Sequence, residues 1–227
     1  MTISILAYDE KSGSYGGAAT TGSLCVGGWV LRGDAEAGLS ASQGSLPSTM
    51  WGTAVLDLMR QGVAAEEAVA QITAPDTGKA QRQLSALDLQ GRTANHTGVE
   101  SIPAAGFRQA KHVIVSGNLL SSEAVLDACL EGFLASGAPL EERLMEGLDR
   151  AAATGGDSRG LLSAALLVVS RHAAPLTLRI DHSETPLQDL RALHGHATGG
   201  AYADWAATVP TLDAPFLGAP FPKIVSR

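Results

Sequence analysis

Met1-Thr-Ile-Ser-Ile-Leu-Ala-Tyr-Asp9 opens the chain. Ile3, Ile5 and Ala7 alternate with Thr2, Ser4 and Leu6, and most of these residues are β-branched or apolar. That is the pattern of a strand buried on at least one face. A strand that starts at residue 2 places the head of the chain inside a fold rather than on a frayed tail. With Met1 removed, Thr2 would carry a hydroxyl and a free α-amine on one residue. An α-amine with a pKa of roughly 8 can take the hydroxyl's proton, so a single residue supplies nucleophile and base. The simpler reading keeps Thr2 as the first β-branched residue of a strand.

Outward from that stretch, composition sets the bounds. The 227 residues suit one large domain or two small ones and can bury a sizeable core. Charged residues are 17% and aromatics 4%, with 26 glycines, which describes a lean globular chain rather than a disordered one. A formal charge of −7 argues against nucleic acid held through its phosphates. Cys25 and Cys129 stand alone, so neither a disulfide framework nor a cysteine zinc site is expected. The six histidines have no metal-ligand spacing, and no cofactor fingerprint is present. No basic-then-apolar leader and no run of roughly 20 apolar residues is visible. The expectation is a cytoplasmic protein without metal, cofactor or membrane partner.

Taken in order, the chain reads as strands, then helices, twice over. Tyr15–Thr21 returns on the first strand as a hairpin. Cys25–Leu31 and Ala35–Gln43 read as two more strands joined at Gly33-Asp34. Pro47 and Ser48 start a helix that Gly62 ends, and a second runs from about Ala65 to Ile72. Strands are expected at Gln83–Leu89, Arg92–His96 and His112–Ser116. Ser121 or Ser122 caps a helix that closes at Gly137, and Pro139 opens another. Strands at Ser163–Val169 and Leu176–Ile180 and a helix after Thr185-Pro186 complete residues 1–196. The extension 197–227 carries Pro210, Pro215, Pro220 and Pro222 with Tyr202, Trp205, Phe216 and Phe221. It is expected to pack in extended form on the body or on a neighbouring subunit.

Two sheets that each bury an apolar face, covered outside by helices, make an α+β four-layer α-β-β-α sandwich. That order resembles a proteasome β-type subunit, the type example of the N-terminal nucleophile (Ntn) hydrolases. The local sequence is similar to the bacterial family catalogued as domain of unknown function 1028. The residues that carry this are Thr2-Ile-Ser-Ile-Leu-Ala, Arg82-Gln83 with Asn95-His-Thr-Gly98, Ser116-Gly-Asn-Leu-Leu120 and Gly155-Gly-Asp-Ser-Arg-Gly-Leu-Leu-Ser-Ala-Ala-Leu166.

The resemblance implies an Ntn-hydrolase-like fold and an active site at the sheet edge where the first strand begins. Around Thr2 it gathers Thr21, Gln43-Gly44, Asn118 and the loop Gly155–Gly160. In that arrangement Thr2 attacks an amide, and the Gly44 N–H and the Asn118 amide form the oxyanion hole. Asp157 orients the Thr2 amine and Arg159 binds a substrate carboxylate. Thr21, Gln43, Ser163 and His96 are further candidates for lining the substrate site. Each has a plainer reading: a turn residue for Asn118, a loop-stapling pair for Asp157 and Arg159, a packing residue for Ser163, a strand-end histidine for His96. Proteasome-like enzymes also carry an Asp at the end of strand two and a Lys at strand three. Here those positions read Thr20 or Thr21, with Arg32 the nearest cation.

The function expected is hydrolysis of a small amide or peptide-like C–N bond. The alternatives are a non-catalytic relative acting in ligand binding or assembly, and a hydrolase whose nucleophile is Thr21 or Ser163. A homo-oligomer is expected by analogy and from the aromatic extension.

Overall fold

The computed structural model describes residues 2–155 and 160–218. It opens with β1 (Thr2–Asp9) and β2 (Ser14–Thr21), a hairpin whose turn is fixed by Asp9. The Ser12 amide and hydroxyl donate to Asp9 Oδ2 at 2.9 and 2.7 Å. Then come α1 (Val26–Trp29), β3 (Leu31–Asp34), β4 (Gly38–Gly44), α2 (Trp51–Arg60) and α3 (Ala65–Thr73). A 3-10 turn at Lys79–Gln81 leads into β5 (Arg82–Leu87), β6 (Thr93–Thr97), β7 (Gly106–Ala110) and β8 (Val113–Asn118). The rest is α4 (Ala124–Leu134), α5 (Leu140–Thr154), β9 (Ser163–Val169), β10 (Leu176–Ile180), α6 (Pro186–Ala197) and α7 (Gly200–Ala206). The described residues thus form an α+β fold of two antiparallel sheets and seven α-helices. No helix among them is long and apolar enough to cross a membrane.

The six-stranded sheet runs β10-β9-β2-β1-β8-β7 and the four-stranded sheet β3-β4-β5-β6. The first strand of the chain is therefore a central strand, held between β2 and β8. Three apolar clusters follow from strand alternation. Ile3, Ile5 and Ala7 pack with Leu126, Cys129, Phe133, Leu144 and Leu148 of α4 and α5. Leu6, on the other face of β1, packs with Leu31, Leu39, Ala41 and Leu87 of the second sheet. Leu84, Ala86 and Ala94 of that sheet meet Trp51, Val55, Met59 and Val69 of α2 and α3.

Four local expectations are corrected. Cys25–Leu31 is not a strand: Cys25 takes a left-handed conformation (φ 60°) and Val26–Trp29 makes one helical turn. The turn lies against β9 and β10, so closely that a Cβ on Gly27 would sit 2.7 Å from the Ala165 Cβ. That tertiary fit overrides the strand propensity of Val26 and Trp29. Gly33-Asp34 is not the hairpin turn either. Gly33 pairs with Leu39 inside the ladder, the chain reverses over 35–37, and the positive φ falls at Gly38 (φ 109°). β7 was not foreseen, because its Gly106-Phe-Arg-Gln-Ala110 is a polar edge strand without a buried face. The extension is not wholly extended: Gly200–Ala206 is helical, in keeping with Ala201, Ala203 and Ala206. The expected serine cap of α4 makes no side-chain cap bond. Just ahead of α2, Ser48 Oγ accepts from the Met50 and Trp51 amides at 3.2 Å each.

Candidate active site

Because Ile3, Ile5 and Ala7 point to the helices, Thr2, Ser4 and Leu6 share the face of β1 that meets the second sheet. Thr2 pairs in register with Thr21 on one side and Asn118 on the other. Its Oγ1 lies 3.0 Å from the Thr21 hydroxyl, and the residue is only partly buried. Thr21 is buried, and its carbonyl accepts from the Leu162 amide at 2.9 Å.

Beneath Thr2 runs a buried polar network that joins the two sheets. Ser4 Oγ donates to Gln43 Oε1 at 2.8 Å, and Gln43 Nε2 donates to Gln83 Oε1 at 2.9 Å. The same Gln83 oxygen accepts from Asn118 Nδ2 at 3.1 Å. Gln83 Nε2 faces the Thr97 hydroxyl (3.0 Å) and the carbonyls of Gly106 (3.2 Å) and Gly117 (2.9 Å). Thr97 Oγ1 donates to Asn95 Oδ1 at 2.7 Å, and Asn95 Nδ2 reaches the Ser85 and Ser116 hydroxyls at 3.0 Å each. Those two hydroxyls bond each other. Gln43, Gln83, Ser85, Ser116 and Asn118 are all buried. Every described member of this network is uncharged, so it fixes geometry without the desolvation cost of a buried ion.

The structure brings together Thr2, Thr21, Gln43 and Asn118. Gly44 ends β4 one residue past Gln43, at φ 133°, where a Cβ would lie 2.6 Å from the Gln81 carbonyl oxygen; only glycine suits it. Ser163 pairs with Thr21 across β2 and β9, but its hydroxyl donates to the Ser23 carbonyl at 2.7 Å and accepts from the Val26 amide at 3.1 Å. It thereby ties down α1. His96 is carried to the far face of the second sheet. It pairs with Leu84, bonds the Lys79 carbonyl at 3.0 Å and stands edge-on to Trp51 at 5.7 Å. Its neighbours Asn95 and Thr97 face the network, so alternation alone separates them. Asp157 and Arg159 lie outside the described residues.

Sequence reasoning gave no site role to Gln83, the hub, or to Ser4, Ser85, Asn95, Thr97 and Ser116. Their signal was present as alternation: Gln83-Leu-Ser-Ala86 and Asn95-His-Thr97 place polar residues at every second position of strands whose other face is apolar or packed on helices. Cations of the second sheet point to the helix side. Arg82 pairs with Asp76 and lies 5.7 Å over Trp51, and Arg32 flanks Gly52 of α2. No group of three or more His, Cys, Asp or Glu among the described residues could hold a metal ion.

The model of a family described as being of unknown function, DUF1028, matches residues 2–190. No curated protein matches the chain. A crystal structure of a Silicibacter pomeroyi protein assigned to the same family superposes with a TM-score of 0.92 at 49% sequence identity, covering 95% of this chain and 94% of that one.

Proposed function

The chain belongs to the DUF1028 family, and on that premise we propose that it is an Ntn-type hydrolase of a small amide or peptide-like C–N bond. The fold reading that goes with it is the four-layer α-β-β-α sandwich of those enzymes, with α4 and α5 outside one sheet and α2 and α3 outside the other. The observation that carries the proposal is the place of Thr2. It heads a central strand, the residue is only partly buried, and it stands between Thr21 and Asn118 above a preorganised network whose described members are uncharged.

In this reading, removal of Met1 frees the α-amine of Thr2. Thr2 Oγ1 attacks the amide carbon as the amine takes its proton. The oxyanion is met by Asn118 Nδ2, which has a second hydrogen besides the one given to Gln83, and by the Gly44 N–H. Collapse breaks the C–N bond, and the ammonium returns its proton to the leaving amine. Water then attacks the Thr2 ester and releases the acid and the threonine hydroxyl.

A non-catalytic, ligand-binding role is the second reading, favoured by one observation: Thr2 Oγ1 is bonded to another hydroxyl, that of Thr21. A panel of amide substrates offered to untagged protein separates the two. Hydrolysis that is lost in Thr2→Ala and largely kept in Thr2→Ser supports the nucleophile. Equal turnover in wild type and Thr2→Ala, or binding of an amide without turnover in wild type, supports the other role.

A further inference from the structure

Gln83 is fully buried on β5, on the face that meets the six-stranded sheet. Which end of a side-chain amide is nitrogen follows from what it faces. One end of Gln83 lies 2.9 Å from the Gly117 carbonyl oxygen and 3.2 Å from that of Gly106. A backbone carbonyl only accepts, so that end is the NH2 group. The other end, Oε1, also only accepts, and it meets Gln43 at 2.9 Å and Asn118 at 3.1 Å. Both neighbours must therefore turn their own NH2 groups toward it. Gln43 is left with its oxygen toward Ser4, which takes up the single Ser4 hydroxyl hydrogen at 2.8 Å. The backbone of β7 and β8 thus dictates the order of donors and acceptors out to the head of β1.

That order has two consequences at the site. Asn118 pairs in register with Thr2, so the two side chains lie on one face of the sheet. Gln83 holds one hydrogen of Asn118 Nδ2, and the Asn118 amide cannot turn over. Turned over, its Oδ1 would face Gln83 Oε1, two buried acceptors with no hydrogen between them. Ser4 lies on the same face as Thr2, two residues along β1, with its hydrogen committed to the Gln43 oxygen. An amide oxygen is no general base, so Ser4 does not compete with Thr2 as nucleophile.

We infer that Gln83 is a positioning residue for the proposed reaction: by fixing which end of Asn118 is nitrogen, it holds the second Asn118 N–H for the oxyanion at Thr2. Fully buried, it acts through Asn118 and not on the substrate. A donor fixed in advance stabilises the oxyanion, and one free to turn away does so less. The inference rests on the reading of Thr2 as nucleophile with Asn118 in the oxyanion hole.

Two measurements test it. The first is hydrogen exchange of the Asn118 side-chain amide by NMR, its signals assigned by their loss in Asn118→Asp. In wild type one of the two hydrogens should exchange slowly, and in Gln83→Glu at high pH both should exchange fast. Two fast hydrogens in wild type overturn the inference. The second is the pH profile of amide turnover in Gln83→Glu. As an acid, the new carboxyl can donate to the Gly117 carbonyl and accept from Gln43 and Asn118, as glutamine does. Every described side chain bonded to Gln83 is uncharged, and Arg82 and His96 lie on the other face of the sheet. Ionised, the carboxyl has no hydrogen for either carbonyl. The ratio of variant to wild-type kcat should therefore fall as pH rises, with KM unchanged. The fall should reach roughly 10²-fold, the loss from misplacing a group by about 1 Å. A ratio that does not change with pH, in protein shown to be folded by circular dichroism, overturns the role. Should Gln83→Glu not fold, Gln83→Met should lower kcat at unchanged KM, and a kcat equal to wild type overturns the role. A slow Asn118 hydrogen in a wild type that cleaves no amide overturns the hydrolase reading and the catalytic role of Gln83 with it, and upholds the amide order itself.

Discussion

Gln83 Oε1 accepts from both Gln43 and Asn118 inside the protein, so a side chain that cannot accept there strands two buried donors. An unpaired buried polar group costs about 1–3 kcal/mol. Gln83→Leu is therefore expected to lower unfolding stability by roughly 3 kcal/mol, read from the shift of the urea midpoint at constant slope. A loss below about 1 kcal/mol would mean that the network rearranges around the change. Gly44 is constrained differently: Gly44→Ala forces a Cβ toward the Gln81 carbonyl oxygen at positive φ. It should cost more than the roughly 1 kcal/mol typical of a Gly/Ala conformational change, while Gly137→Ala, with open space at its Cβ, should cost far less. Both comparisons need only purified protein and a denaturant series.

At the scale of elements, the β1–β2 hairpin couples its turn to α5 through Asp9. Burial of that carboxyl opposes ionisation, but hydrogen bonds from Ser12 and the nearby Arg143 outweigh it and hold the carboxyl below its usual value. A carboxyl lower in the folded than in the unfolded chain adds stability above its unfolded value, near 3.9. That stability is lost as pH falls through the folded value. Asp9→Asn should therefore lower stability at neutral pH and flatten the fall in stability below about pH 4, by urea titration across that range. An acid limb as steep as wild type would remove Asp9 from the explanation. Elements with a clear period were legible in the sequence: β1, β2, β9, β10 and the faces of α2, α4 and α5. The failures were those where a neighbour decides. α1 is shaped by close packing on β9 and β10, β7 by pairing with β8 at an edge, and α7 by helix-forming alanines among prolines that suggested an extended chain.

For the whole molecule, the order of elements pointed to two sheets with helices outside, and the resemblance pointed to the family that matches residues 2–190. The head of β1 reads as a candidate site because one residue carries both a hydroxyl and a potential free amine. The network below it was harder to see, because its members are common polar residues whose meaning lies in which face of a strand they occupy. His96 shows the same point in reverse: a reactive residue type, one position from the network, is turned to the opposite side of its sheet. The central claim is that Thr2 acts as an N-terminal nucleophile, and the most direct measurement is the intact mass of untagged protein purified from its own host. A mass short by one methionine is the predicted result and leaves Thr2 with the free amine that the reaction needs. A mass that retains Met1 locks that amine in a peptide bond and contradicts the claim.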